Sequence, residues 1–165
     1  SRPDVDVLLC GQGDPAPWLS PNIPNLRHVG VRTGRDRSAL LGGAIALLTP
    51  TRYVEPFGGV TVEANLCGTP ALTSDFGVFP ETIENGINGW RCHTLGDFLA
   101  GVEWAEQCGI GQHELIRARA VERYSLEAVG PRYIDVFRQL ADLRGRGWYE
   151  HRSPIGPITR AKVLP

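Results

Sequence analysis

The sequence predicts an α/β domain built on a doubly wound parallel sheet with helices on both faces. Short apolar runs at residues 5–10, 44–48 and 70–73 alternate with helical segments, as parallel strands joined by crossover helices do. The runs close on glycine- and proline-bearing turns, beginning with Gly11-Gln12-Gly13-Asp14-Pro15. At 165 residues the chain is long enough for one domain with a hydrophobic core and too short for two of ordinary size.

Taken in order, residues 5–10 read as a buried strand, 15–25 as a loop rich in proline and asparagine, and 27–31 as a second strand. Residues 36–43 suit a short helix with Asp36 as its N-cap. A strand at 44–48, a helix at 60–67, a strand at 70–73, a helix led by Pro80 and a strand at 89–92 continue the alternation. Leu95, Phe98, Leu99, Val102 and Ala105 then recur at helical spacing beside Asp97, Glu103 and Glu106, the pattern of an amphipathic helix. Gly109 and Gly111 are expected to break it; residues 113–124 form another helix, and Ser125 caps a last one reaching 143, disturbed early by Gly130-Pro131. No period survives beyond residue 144. The reading is therefore a domain at 1–143 followed by a tail or arm at 144–165.

Composition excludes several classes of function. The formal net charge of -1 provides no general attraction for nucleic acid or anionic membrane. No apolar stretch approaches the ~20 residues of a membrane-spanning helix, and the start of the chain lacks a signal-peptide pattern. Cys10, Cys67, Cys92 and Cys108 form no CxxC pair and no zinc spacing, and Cys10 and Cys67 lie in apolar segments; the expectation is reduced core cysteines in a cytoplasmic protein without a metal. His28, His93, His113 and His151 have no carboxylate or cysteine at triad or metal spacing and read as surface or core histidines. The absence of methionine reads as a processed chain or a fragment. Lys162 is the only lysine, so arginine carries the remaining fixed positive charge.

The chemistry concentrates in residues 49–63, which follow a strand and open a helix. Loops at the C-terminal ends of parallel strands are where open α/β sheets bind ligands. Gly58 and Gly59 remove side chains where a ligand approaches the backbone, and the new helix offers unpaired N–H groups that favour phosphate. Glu55 and Glu63 both face this mouth. Carboxylates repel phosphate and suit sugar hydroxyls, from which they accept hydrogen bonds. Each glutamate also has a plainer reading: Glu55 as an exposed loop acid before Pro56, and Glu63 as a helix acid favoured by the macrodipole by ~0.3–1 kcal/mol. Against the latter, Val60, Ala64 and Cys67 share the face of Glu63 and draw its carboxylate toward the core.

The run Glu55-Pro56-Phe57-Gly58-Gly59-Val60-Thr61-Val62-Glu63 resembles the E-x7-E motif of retaining GT-B glycosyltransferases. The continuation through Cys67-Gly68-Thr69-Pro70 and Glu84-Asn85-Gly86 resembles the same family, closely from about residue 5 to 92 and loosely to 143. The resemblance implies a Rossmann-like domain, the C-terminal half of a GT-B fold, that binds a nucleotide diphosphate sugar without metal or other cofactor. It implies that Glu55 is the catalytic glutamate, that Phe57, Gly58, Gly59 and Val60 line donor sugar and diphosphate, that Glu63 holds the ribose, and that Val31 and Arg32 meet the base. Gly11, Gly13 and Thr51 are further candidates, with a plain turn the equal reading of Gly11-Gln12-Gly13. Asp75 and Gly77 read equally as turn residues, and Glu81 as a first-turn helix acid. Family members take their acceptor on an N-terminal domain and neutralise the diphosphate with an Arg and Lys pair, neither of which this sequence carries. The expected function is thus donor binding in a retaining glycosyltransferase whose acceptor domain is supplied in cis or in trans. The rival readings are a non-catalytic nucleotide-sugar-binding module and half of a sugar-nucleotide epimerase.

Overall fold

A computed structural model describes residues 3–143, the side chains of 142 and 143 excepted. Along the chain run β1 (Val7–Leu9), β2 (Leu26–His28), α1 (Gly34–Gly42), β3 (Leu47–Thr49), α2 (Gly59–Leu66), β4 (Ala71–Ser74), α3 (Phe79–Thr82), β5 (Gly89–Cys92), α4 (Leu95–Glu106), α5 (Ile110–Tyr124) and α6 (Leu126–Leu143). All described strand pairs are parallel, as the crossover helices require. They form two hydrogen-bonded groups, β1-β2 and β3-β4-β5. In the second group Leu47 lies opposite Ala71 and Ser74 opposite Cys92, so β3, β4 and β5 end close together at one edge.

Alternation along β4 places helices on both faces. Ala71 is fully buried and clusters with Phe79 and Ile83 from the α3 region, with Val78 packed against them. The next residue, Leu72, points the opposite way and meets α4 at Gly101, where a Cβ would lie 3.0 Å from Leu72 Cδ2. Helix α2 packs on β3 and β4, and α1 packs on α2. The C-terminal end of α2 is pinned by a buried amide network. Asn65 Nδ2 donates to Thr69 O at 2.9 Å and to Asn88 O at 3.1 Å, while Asn88 Nδ2 donates to Asn65 Oδ1 at 3.0 Å. Such satisfied polar groups fix one packing arrangement, because leaving any of them unpaired in the core is costly.

Several expectations shift. Asp36 is not the cap of α1: the helix starts after Thr33 with no side-chain cap, and Asp36 falls in its first turn. Gly111 lies inside α5, so the break occurs at residues 107–109 only. Pro131 lies inside α6 without ending it; its missing amide removes one helical hydrogen bond near the start. Ser125 does cap this helix, its Oγ accepting from Ala128 N at 3.2 Å. Cys10 is exposed rather than in the core, Cys67 and Cys108 are half-buried, and Cys92 is the buried cysteine; all four are free thiols. The described residues separate into two compact units, divided between Arg119 and Ala120. The expected tail at 144–165 lies outside the described residues. Among the described residues no helix is long and apolar enough to cross a membrane.

Candidate functional site

The loop from β3 to α2 carries the candidate site, and Gly58 shapes it. Gly58 immediately precedes α2 in the left-handed region, at φ 68° and ψ 45°. A Cβ there would meet the Phe79 ring at 3.0 Å and Thr61 Oγ1 at 3.2 Å, so both backbone angle and space call for glycine. Thr61, fully buried, donates from Oγ1 to Gly58 O at 2.7 Å and closes the first turn. No side chain of the capping residue satisfies the helix N-terminus, which therefore keeps its affinity for an anion.

Glu55 occupies part of that anion position. Its Oε1 accepts from Gly58 N at 3.0 Å and from Phe57 N at 3.5 Å, and its Oε2 accepts from the Tyr53 hydroxyl. The Tyr53 hydrogen bond first, and the Gly58 amide second, hold the Glu55 carboxyl below its ordinary pKa; the same contact raises the Tyr53 phenol. The Glu55 backbone is fixed by Val78 N, which donates to Glu55 O at 2.9 Å. Phe57 and Val60 are exposed on either side of Gly58-Gly59, available to line a ligand. Thr51 reaches across to β4: its Oγ1 lies 3.0 Å from Ser74 Oγ, and Ser74 Oγ donates to Thr51 O at 2.7 Å.

Glu63 lies in α2, just past its first turn, where the expectation of a carboxylate drawn into the core does not hold. It is partly exposed and pairs with Arg37 of α1, Nη2 to Oε1 at 2.8 Å. The long Arg37 side chain reaches Glu63 from the neighbouring helix, which leaves the carboxylate at the surface with a partner. Val31, exposed, and Arg32 lie on the loop that leads from β2 into α1. Gly11 and Gly13, both at positive φ, form the turn after β1. Gly11 N donates to Gly30 O at 3.2 Å, which ties this turn to the residue before Val31.

A second cluster sits at the edge where β3, β4 and β5 end. A cavity of about 260 Å³ is lined there by Thr51, Ser74, Asp75, Phe76, Cys92 and His93, among others. Asp75 pairs with Arg91 Nη1 at 2.9 Å and His93 Nε2 at 2.9 Å. His93 therefore has the carboxylate partner that linear spacing did not show. The Cys92 thiol is pushed up to about 11, by burial first and then by Asp97 and Asp75, and it is a poor nucleophile. Among the described residues no group of three or more His, Cys, Asp or Glu is placed to hold a metal ion. Tyr53, Arg37 and the Asp75–His93 pair are the site contacts that the sequence reading missed. Only Tyr53 offered a local signal, a hydroxyl two residues before Glu55.

A parallel α/β domain whose strand-end loop opens into a glycine-capped helix is Rossmann-like. Residues 2–120 match the family model described as Glycosyl transferases group 1, and the chain belongs to that family. It is similar to a glycogen synthase of Mycobacterium tuberculosis, 34% identical over 98 residues that cover 56% of this chain and 23% of that protein. It is also similar to an alpha-maltose-1-phosphate synthase of Mycolicibacterium smegmatis, 22% identical across 84% of this chain and 42% of the relative. Among solved structures, Anabaena HepE in complex with UDP superposes with a TM-score of 0.71 at 20% identity, covering 83% of this chain and 42% of HepE. That likeness shows the fold. The chain thus spans less than half the length of each of these relatives.

Proposed function

We propose that this chain is the donor-binding, C-terminal half of a GT-B enzyme that transfers a sugar from a nucleotide diphosphate sugar with retention of anomeric configuration. The observation that carries the reading is the pair Glu55 and Glu63 on either side of a helix N-terminus opened by left-handed Gly58. The amides of this loop and the helix dipole receive the diphosphate and stabilise the charge that develops on it as the sugar–phosphate bond breaks. Phe57, Gly58, Gly59 and Val60 line sugar and diphosphate. In the free protein Glu55 rests on the Phe57 and Gly58 amides; the donor takes those amides, and the released carboxylate accepts hydrogen bonds from sugar hydroxyls beside the anomeric carbon. Glu63 accepts from the ribose, and Val31 and Arg32 meet the base, with Gly11 and Gly13 bordering that end and Thr51 the sugar end.

The acceptor is held by an N-terminal domain, joined to this chain or brought as a partner. In this reading the family's Arg and Lys pair for the diphosphate is supplied by that partner or by the segment that joins the two halves. Relatives more than twice the length of this chain's match support a two-domain enzyme. Free thiols throughout suit a reducing cytoplasm. Chemistry on the donor requires no metal in this reading. The test is calorimetry and thermal shift of the chain with UDP, GDP, ADP and their sugar derivatives, then a transfer assay with and without the acceptor domain. Binding of one nucleotide, and Glu55-dependent transfer only when both domains are present, is expected. No stabilisation by any of them at millimolar ligand contradicts the site. Robust transfer by the chain alone contradicts the half-enzyme.

A further inference from the structure

Glu63 is the one member of the proposed donor site whose carboxylate is already engaged by a side chain from another element, and the geometry of that engagement has a direction. Arg37 Nη2 donates to Oε1 at 2.8 Å. The other oxygen, Oε2, has no hydrogen-bond partner among the described residues. The pair is partly open to solvent, the side chains being 46% and 37% exposed, so a ligand can reach Oε2 without breaking the ion pair. Arg37 sits in α1, the helix entered from Val31 and Arg32, and α1 packs on α2. The ion pair therefore bridges the helix that follows the proposed base loop and the helix that follows the diphosphate loop.

We infer that Arg37 is a positioning residue for ribose recognition: it holds Glu63 by one oxygen and presents the other to the ribose hydroxyls. This rests on the reading of Glu63 as the ribose acceptor. An unpaired glutamate would sample several rotamers, and each would have to be frozen on binding. Arginine suits the task because its planar fork restricts the carboxylate's orientation, and it stays charged at every working pH.

The experiment measures calorimetric affinity for the best-bound of UDP, GDP and ADP and for its 2',3'-dideoxy form, using wild type, Arg37→Gln, Arg37→Lys, Glu63→Gln and the Arg37→Gln/Glu63→Gln double variant. Thermal melting reports whether each is folded, and Arg37→Lys supplies a cation at the same site should Arg37→Gln not fold. Arg37→Gln is expected to weaken the ordinary nucleotide by about threefold or more while leaving the dideoxy form nearly unchanged, and to have no further effect when Glu63 is already Gln. Arg37→Lys restores part of the preference for the ordinary ribose. Equal losses for both nucleotides, a loss that persists in the Glu63→Gln background, no change, or tighter binding would each overturn the inference. If Glu63→Gln itself leaves the preference for the hydroxylated ribose intact, the ribose reading of Glu63 fails, whatever Arg37 does.

Discussion

Gly77 lies against the backbone of Glu55: a Cβ on Gly77 would stand 2.7 Å from Glu55 N and 2.8 Å from Glu55 O. Gly77 is also at φ 69°, and its neighbour Val78 donates to Glu55 O at 2.9 Å. The turn after β4 thus sets the position of the glutamate that the loop after β3 presents. Placement of the proposed catalytic carboxylate depends on a residue that carries no side chain.

Gly77→Ala is expected to cost about 3 kcal/mol, combining left-handed strain with displacement of backbone atoms that have no room to move. Gly86→Ala provides the comparison, since Gly86 is at φ 76° with nothing within 4 Å of a Cβ; it should cost only about 1 kcal/mol. Urea unfolding of the two variants measures the difference. Equal costs would mean that the close approach to Glu55 carries no weight.

Tyr53→Phe should raise the pKa of Glu55, because the Tyr53 hydroxyl is the largest cause of its depression. The sign is that of a depressed carboxyl: the order this contact gives the loop is present above the ordinary value of 4.5 and is lost as pH falls through the lowered value. Carboxyl carbon NMR titration of Glu55 in wild type and Tyr53→Phe reads it directly. A Glu55 that titrates identically in both would show that the Tyr53 contact is not formed in solution.

Cysteine reactivity should follow the burial order. Cys10 is exposed, whereas burial, Asp97 and Asp75 push the Cys92 thiol up to about 11, leaving almost no thiolate near neutral pH. Timed alkylation followed by peptide mass spectrometry is expected to label Cys10 first and Cys92 only on unfolding. Early labelling of Cys92 would contradict its place in the core.

Much of this was legible in the residues themselves. The strand at 89–92 and the helix from Leu95 agree with their expected bounds, because their signals are local: a short run opened by the Asn85-Gly86 turn and Gly89, and helical spacing after a Thr94 whose Oγ accepts from Asp97 N. Asp36 misled because residue type suggests a cap, whereas the chain enters α1 at Gly34 and leaves Asp36 in the first turn, where the dipole favours it equally. Arg37–Glu63 and Asp75–His93 were invisible for another reason. They join residues 26 and 18 positions apart, on different elements, and only the packing of α1 on α2 and of β4 beside β5 brings them together. The close approach of Gly77 to Glu55 is of the same kind: the glycine was visible, but what it approaches was not.

The central claim, that Glu55 serves the sugar and Glu63 the nucleotide, is tested most directly by calorimetric affinities of Glu55→Gln and Glu63→Gln for the preferred nucleoside diphosphate and for its sugar derivative. Loss of a charged acceptor from a hydrogen bond costs about 1.5–3 kcal/mol. Glu63→Gln should therefore weaken both ligands by about tenfold or more, while Glu55→Gln should weaken the sugar derivative and spare the bare diphosphate. Equal losses for both ligands in both variants would contradict the assigned division of labour.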